Sequence, residues 1–439
     1  MEIPNITTVL PQQVQEDEQE PSTSSNKTLK SSHANKSGIF IDTNDDSSVQ
    51  TRHGLRFLFI GFRLLGVYFP KRGRFLYFLW SLFVNLYATI YLPTGLVVGI
   101  ITHRDVAIGD MLTSLQVAID VVGCAIKIVL MYFLLPQLLQ CDPVLERLDK
   151  RCTSPEEKDL VRRFISHGNR FVILFGMAYW SYASSTCISA VLFHRLPYNL
   201  YNPLLDATAS KGSFVLGVFV EMMPMYLACS QQVVDDSYAV IYTQILRTHL
   251  KALVFRLQHL NDDHRNENGV ISPEAEERNI ENLKLCIIDH KNIIELYTRV
   301  APVISITLFV QFTITASLLG VTLINILIFA TNTASIVASC FYVLAVVVEI
   351  FPLCYYAQCL MNENDHLTEA IFHSNWIHQS KRYRQMLIFF MQRSQKSIEF
   401  TAGKLFPITL SSFLSIAKFS FSLYTLIKEM DIKTHYGLD

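Results

Sequence analysis

Charge is what this sequence has least of. Only 17% of its 439 residues are Asp, Glu, Lys or Arg, while half are apolar. A soluble chain of this length would form two or three domains with polar surfaces and would need more. The formal net charge of -1 also removes any whole-molecule attraction for nucleic acid or acidic substrates. There is no CxxC pair and no Cys/His cluster of zinc spacing. The nine cysteines, among them Cys124, Cys187, Cys229, Cys340, Cys354 and Cys359 in or beside apolar stretches, read as small buried hydrophobes. Catalytic signatures are missing as well: no G-x-S-x-G, no H-E-x-x-H, no P-loop and no glycine-rich dinucleotide fingerprint. The expectation is a protein that is not an enzyme and carries no cofactor and no metal. Asn364, Asp365 and His366 form a polar cluster, which reads as a solvated or hydrogen-bonded helix end.

The charge that exists is concentrated in a polar N-terminal tail and a few loops. The first 50 residues hold no apolar run of signal-peptide length and read as a disordered tail. Asn5, Asn26 and Asn35 each start an N-x-S/T triplet, which matters only for a tail outside the cell. Between the polar segments lie seven runs long enough to cross a hydrocarbon core of about 30 Å: 75–101, 111–138, 168–194, 212–234, 301–329, 334–360 and 402–428. The fifth and sixth are nearly continuous. As one helix they would reach about 85 Å, so Thr331, Asn332 and Thr333 are expected to turn the chain between them. Residues 55–69 are apolar but short. Arg56 and Arg63, seven apart, share a helical face there, which predicts an amphipathic helix at the membrane surface, with an eighth span as the alternative.

Lysine and arginine set the orientation. Arg52, Arg56, Arg63, Lys71, Arg72 and Arg74 precede the first span, and only Arg104 follows it. The second loop carries Arg147, Lys150, Arg151, Lys158, Arg162 and Arg163; the third Arg195 and Lys211; the fourth Arg247, Lys251 and Arg256 among others; the fifth none; the sixth Lys381, Arg382, Arg384, Arg393 and Lys396. The bias alternates at every crossing. The fold class that follows is all-α: a polytopic membrane protein of seven transmembrane helices, with a cytoplasmic N-terminus and an extracellular C-terminus. A seven-helix G-protein-coupled receptor has the opposite orientation. The chain then divides into a disordered cytoplasmic tail (1–50), an interfacial amphipathic helix (51–74), helices one to four (75–234), a cytoplasmic helical loop (235–300), helices five and six (301–360), a second cytoplasmic helical segment (361–400), and a seventh helix with a short extracellular tail (401–439).

The inner loops carry helix signals. Ser154, Pro155 and Glu157 read as an N-cap, a first-turn proline and a capping glutamate, and Ser272-Pro273 starts another helix after the polar stretch 262–268. Beyond it Ile280, Leu283, Ile287, Ile294 and Tyr297 share a face, which must pack within the subunit or against another one. Residues 382–396 are amphipathic too.

Ionisable residues inside spans are expensive in lipid and carry more meaning. Asp120 and Lys127 lie two turns apart on one face of the second span, too far for direct pairing, so a polar network or a water-filled cavity must satisfy each. Glu221 and Glu349 are similar cases. The last span holds Thr409, Ser411, Ser412, Ser415, Ser420, Ser422 and Thr425, with Lys404 and Lys418. Hydroxyls suit close helix packing, or a pore wall if several copies surround an axis. The outer halves of the second, third, fourth and sixth spans supply Met111, Leu115, Tyr179, Tyr182, Thr186, Phe214, Met222, Phe341 and Tyr342, which suit either ordinary bundle core or a small, mostly apolar ligand.

Tyr355-Tyr356-Ala357 with Leu360, Ala370-Ile371-Phe372 and Trp376, then Arg384, Gln392-Arg393-Ser394-Gln395 and Thr401 to Ile408 with Phe413, resemble the insect odorant receptor family over about the last 80 residues. Asp365-His366 departs from the serine-rich stretch usual at that point. The resemblance implies an odorant-tuned subunit of a tetrameric, ligand-gated, non-selective cation channel in the plasma membrane of olfactory sensory neurons. Its implied partners are an odorant co-receptor subunit, a small volatile organic ligand and membrane lipid. It also implies a pore around the last helix, with Leu426 and Met430 at its narrow outer part and Ser422 one turn below. The alternatives are a gustatory-type channel working without that co-receptor, whose Thr-Tyr and Gln-Phe signature the last span lacks, or a secondary transporter using Asp120 and Lys127, for which inverted repeats would be expected and none is seen.

Overall fold

The computed structural model describes residues 49–70, 73–102, 108–198, 200–203, 210–260, 272–326 and 333–429. The expected tail up to residue 48, the polar stretch 262–268 and the turn at 331–332 lie outside the described residues. The rest is a helical bundle. A 3-10 turn, Thr51–Leu55, leads into α1 (Arg56–Leu64), and a rod of 29 residues follows: α2 (Arg74–Val84), a π-helical stretch Asn85–Tyr91 and α3 (Leu92–Thr102). Then come α4 (Ile108–Leu139), α5 (Asp142–Arg151), α6 (Pro155–Leu192), α7 (Lys211–Gln258), α8 (Pro273–Ile324), α9 (Thr333–His373), α10 (Lys381–Ser394), a two-stranded hairpin of β1 (Thr401–Ala402) and β2 (Phe406–Pro407), and α11 (Leu410–Glu429). Among the described residues six helices are long and apolar enough to cross a membrane, and α11 has a shorter apolar stretch, Leu410–Phe419. Outward-facing Phe75, Phe133, Leu192 and Phe193 are each more than 70% exposed, as lipid-facing positions of such a bundle are.

α1 is amphipathic. Leu58, Phe59 and Phe62 are buried while Arg56 and Arg63 are exposed. Its nine residues reach about 14 Å, under half of a hydrocarbon core. α7 and α8 run well past the expected span ends at 234 and 301. With 48 and 52 residues they reach about 72 and 78 Å. The cause in α7 is the absence of any Gly or Pro after Pro224, together with an apolar face (Tyr238, Tyr242, Ile245, Leu253, Leu257) buried without interruption. The apolar face of α8 packs inward: Ile280 and Leu283 are fully buried and Ile287, Ile294 and Tyr297 lie against the same core. Where α4 packs on α8, the Ile314 side chain lies so close to Gly123 that a Cβ there would not fit.

The last helix starts later than the expected 402. Gly403 and Lys404 both adopt positive φ (57° and 60°) in a hairpin turn, and Pro407 has no N–H to offer a helix. Lys404 is therefore an exposed turn residue and not part of a span. The Gly403 N–H donates to Ser305 O at 2.9 Å, and Phe406 stacks on Phe312, so the hairpin seats the start of α11 on α8.

At the end holding α5 and α10, called proximal here, ionic contacts join the helices. Ser154 caps α6 through a reciprocal pair with Glu157. Arg256 of α7 donates to Glu157, to Asp289 of α8 (2.7 Å) and to Arg151 O (2.9 Å), while Arg151 donates to both Asp289 oxygens at 3.1 Å. Thr51 enters through α5: its hydroxyl and N–H donate to Asp149 (2.5 and 2.8 Å), and the hydroxyl lies 3.1 Å from His249 Nε2. At the distal end Glu221 accepts the N–H groups of Tyr198 and Leu200 (2.8 and 3.0 Å), which holds the α6–α7 connection over the bundle.

Burial lifts Asp149 from an ordinary 3.8 to about 6, against the lowering effect of the Thr51 hydrogen bonds. The folded state thus binds more protons than the unfolded one in this window. The stability it contributes is complete below about 3.8 and is lost as pH rises through about 6. Thermal unfolding of detergent-solubilised protein will show this loss with rising pH, and Asp149→Asn will lack it.

Candidate ligand-binding site

Four helices, α4, α6, α7 and α9, surround a cavity of about 160 Å³. A cavity of about 150 Å³ accommodates benzene, so the space matches a molecule of that size. Most of the wall is apolar. Its polar groups are Asp120 of α4, Tyr179 and Tyr182 of α6, Gln232 of α7, and Tyr342 and Glu349 of α9. Each helix presents residues three, four or seven apart: Val117, Asp120, Val121 and Cys124 on α4, and Tyr342, Val346 and Glu349 on α9. This is the spacing that lines one helical face.

Beneath the cavity a polar network crosses five helices. Lys127 of α4 donates to Asp236 of α7 at 2.9 Å and to Gln311 of α8 at 2.5 Å. Gln311 donates on to Glu349, and Tyr179 donates to Asp236 at 2.7 Å. Asp120 stands apart from Lys127 and accepts from Gln232 at 2.8 Å. The Lys127 and Asp236 side chains are 3% and 5% exposed, so solvent screens the pair little. A second cavity of about 20 Å³ adjoins them, lined by Lys127, Asp235, Asp236, Gln311 and Glu349. It has room for about one water molecule. Asp235 needs such a donor, since neither of its buried oxygens meets one from the protein. Glu349 lines both cavities.

Of the nine sequence-derived candidates, Tyr179, Tyr182 and Tyr342 come together in the cavity wall. Thr186 sits a turn further out, its hydroxyl returned to Tyr182 O at 3.1 Å. Met222 is buried in a distal core cluster against which Phe214 packs, and Phe214 also stacks on His194. Met111 and Leu115 lie further out along α4, Met111 38% exposed, and neither lines the cavity. The side chain of Phe341 lies outside the described residues. The cavity is one to two turns deeper than the aromatic-rich outer halves suggest. Phe175, seven residues before Tyr182, and Glu349, seven after Tyr342, were the periodic signal for that depth.

Near the other candidate group, an open groove of about 720 Å³ runs between α8, the hairpin and α11, with Phe309, Phe406, Ser412 and Phe419 in its wall. Ser422 is exposed on α11, its hydroxyl donating to Lys418 O at 3.0 Å. Leu426 belongs to the same helix, but its side chain, like the whole of Met430, lies outside the described residues.

This is the architecture of a multi-pass helical membrane protein with an internal cavity of small-molecule size. A family model described as 7tm Odorant receptor matches residues 107–421. Odorant receptor 42b of Drosophila melanogaster is 36% identical over 393 residues, 89% of this chain and 96% of that one. Odorant receptor 42a of the same species is 37% identical over 389 residues, 88% and 94% of the two chains. The solved insect olfactory receptor OR5 from Machilis hrabei superposes with a TM-score of 0.68 at 15% identity, covering 86% of this chain and 97% of that one; its complex with eugenol gives 0.67 at 14%. The chain belongs to the insect odorant receptor family, and is a receptor rather than an enzyme.

Lys127→Met will leave Asp236 buried without its cation, a loss of about 3–5 kcal/mol for a broken buried pair. Fluorescence-detected melting in detergent will show a lowered midpoint for the single variant. Lys127→Met combined with Asp236→Leu will recover part of it.

Proposed function

We propose that this chain is an odorant-tuned subunit of a heteromeric, ligand-gated, non-selective cation channel, opened by a small volatile in the cavity between α4, α6, α7 and α9. The observation that carries the proposal is the position of Glu349, which faces the cavity on one side and the Lys127 network on the other. A ligand that shifts α9 or α4 disturbs hydrogen bonds ending on α8, and α8 supports the hairpin and α11. The likeness in fold to a receptor solved with eugenol supports the same reading.

In this proposal α11 lines the pore together with its counterparts in neighbouring subunits. Leu426 and Met430 form the apolar constriction, and Ser422 meets water when the helices separate, so closure is by dewetting. The ligand acts by binding the dilated arrangement more tightly than the closed one. The partner is an odorant co-receptor subunit. Exposed Phe372, Ile377, Ile388 and Phe389 at the proximal end provide apolar surface for subunit contact. Orientation follows the basic residues: tail, α5 and α10 in the cytoplasm, C-terminus outside, in the plasma membrane of olfactory sensory neurons, with lipid around the exposed apolar belt.

Whole-cell recording tests it. Cells expressing the chain with an odorant co-receptor will pass cation current to volatile ligands, and cells expressing the chain alone will not. Tyr182→Ala and Tyr342→Ala will raise the half-maximal concentration about tenfold or more, the scale of a lost aromatic anchor. Phe214→Ala, outside the cavity, will leave it within about twofold. Silence of a surface-expressed heteromer across a broad volatile panel contradicts the proposal.

A further inference from the structure

Among the described residues the cavity is walled by two carboxyl side chains, Asp120 and Glu349, and by no basic one. Each engages one oxygen inside the protein, Asp120 Oδ1 with Gln232 at 2.8 Å and Glu349 Oε1 with Gln311. Both face the same cavity. Lys127, the cation of the network, is committed below the cavity to Asp236 and Gln311, and it lines the smaller space instead. Asp236 already holds the Tyr179 hydroxyl as well, and Asp235 beside it has no donor among the described residues. Of Asp120, Asp235, Asp236 and Glu349, Lys127 pairs directly with Asp236, while Asp120 and Glu349 face the larger cavity.

From this imbalance we infer that the cavity takes a small apolar amine, its ammonium against Asp120 and Glu349 and its hydrocarbon among Phe175, Tyr182 and Tyr342. The inference rests on the reading of this cavity as the ligand site. An alkyl ammonium titrates near a lysine, at about 10.4, and so arrives protonated at neutral pH. It supplies a positive charge and further donors to two half-buried carboxyls that each already accept from a glutamine, and the ring faces add a cation–π attraction. An aldehyde or ester brings acceptors only and sets oxygen against oxygen. A carboxylic acid ligand brings more charge of the sign already in excess. The cavity's size limits the hydrocarbon to about one ring or its equivalent in chain.

Benzylamine, benzyl alcohol and benzaldehyde separate these chemistries, because they match in size and differ only in the polar group. Currents from the heteromer with its co-receptor will rank benzylamine first, benzyl alcohol second and benzaldehyde last. Half-maximal concentrations at the two ends will differ at least about tenfold, the scale of one hydrogen bond to a charged group. In surface-labelled cells Asp120→Asn and Glu349→Gln will each raise the benzylamine value by a larger factor than the benzaldehyde value. Wild-type channels that answer benzaldehyde as well as benzylamine, or other neutral volatiles but not benzylamine, overturn the amine assignment and leave the receptor function intact. Variants that shift all three probes equally overturn it too. A heteromer at the surface that answers no volatile overturns the receptor reading itself and the ligand class with it.

Discussion

Lys127 sets an ammonium halfway along a helix otherwise built for lipid, and in hydrocarbon such a charge has to be met inside the protein. Meeting it fixes the mutual position of most of the bundle. Asp236 brings α7, Gln311 brings α8, Glu349 follows through Gln311 on α9, and Tyr179 of α6 closes on Asp236. The helices are held together at this level, and directly above it they stand apart around the cavity. The polar network is thus the floor of the candidate site, and Glu349 belongs to both.

A second set of ionic contacts plays a comparable part at the proximal end. Arg256 joins α7 to the start of α6, to α8 and to the end of α5, with Asp289 shared between Arg256 and Arg151. Between these two levels α7 and α8 are continuous helices, α8 carrying Pro302 within it, so their long shafts link the cavity floor to the proximal end. The hairpin at residues 401–407 connects the same α8 to the start of α11. The network under the candidate site, the proximal contacts and the candidate pore helix all meet α8.

Much of this was legible in the residues. The hydrophobic runs locate the first two spanning helices to within a few residues, but α6 begins at Pro155, ahead of its run at 168, and α9 continues to His373, past its run's end at 360; the caps at Ser154 and Ser272 bond as their spacing predicts. The last 80 residues carry the family pattern, and three aromatic candidates do line the cavity. What could not be read was set by tertiary contact. No local signal separates the membrane part of α7 from its extension, because both are apolar on the buried face and free of breakers. The turn at Gly403-Lys404 falls inside an otherwise apolar run. Asp120 and Lys127, two turns apart, do not pair with each other, and their partners come from a helix more than a hundred residues away in sequence. The depth of the cavity depends on where the network draws the helices together, and that also places Met111, Leu115, Phe214 and Met222 outside it.

If a ligand in the cavity above Lys127 opens the channel, filling that cavity must silence it. Ala228 lines it from α7 and is 4% exposed, so Ala228→Phe puts a ring into the space the ligand would take. With the co-receptor present and the variant at the cell surface in wild-type amount, the account predicts that ligand-evoked current is abolished. Unchanged current at unchanged ligand concentration would contradict it.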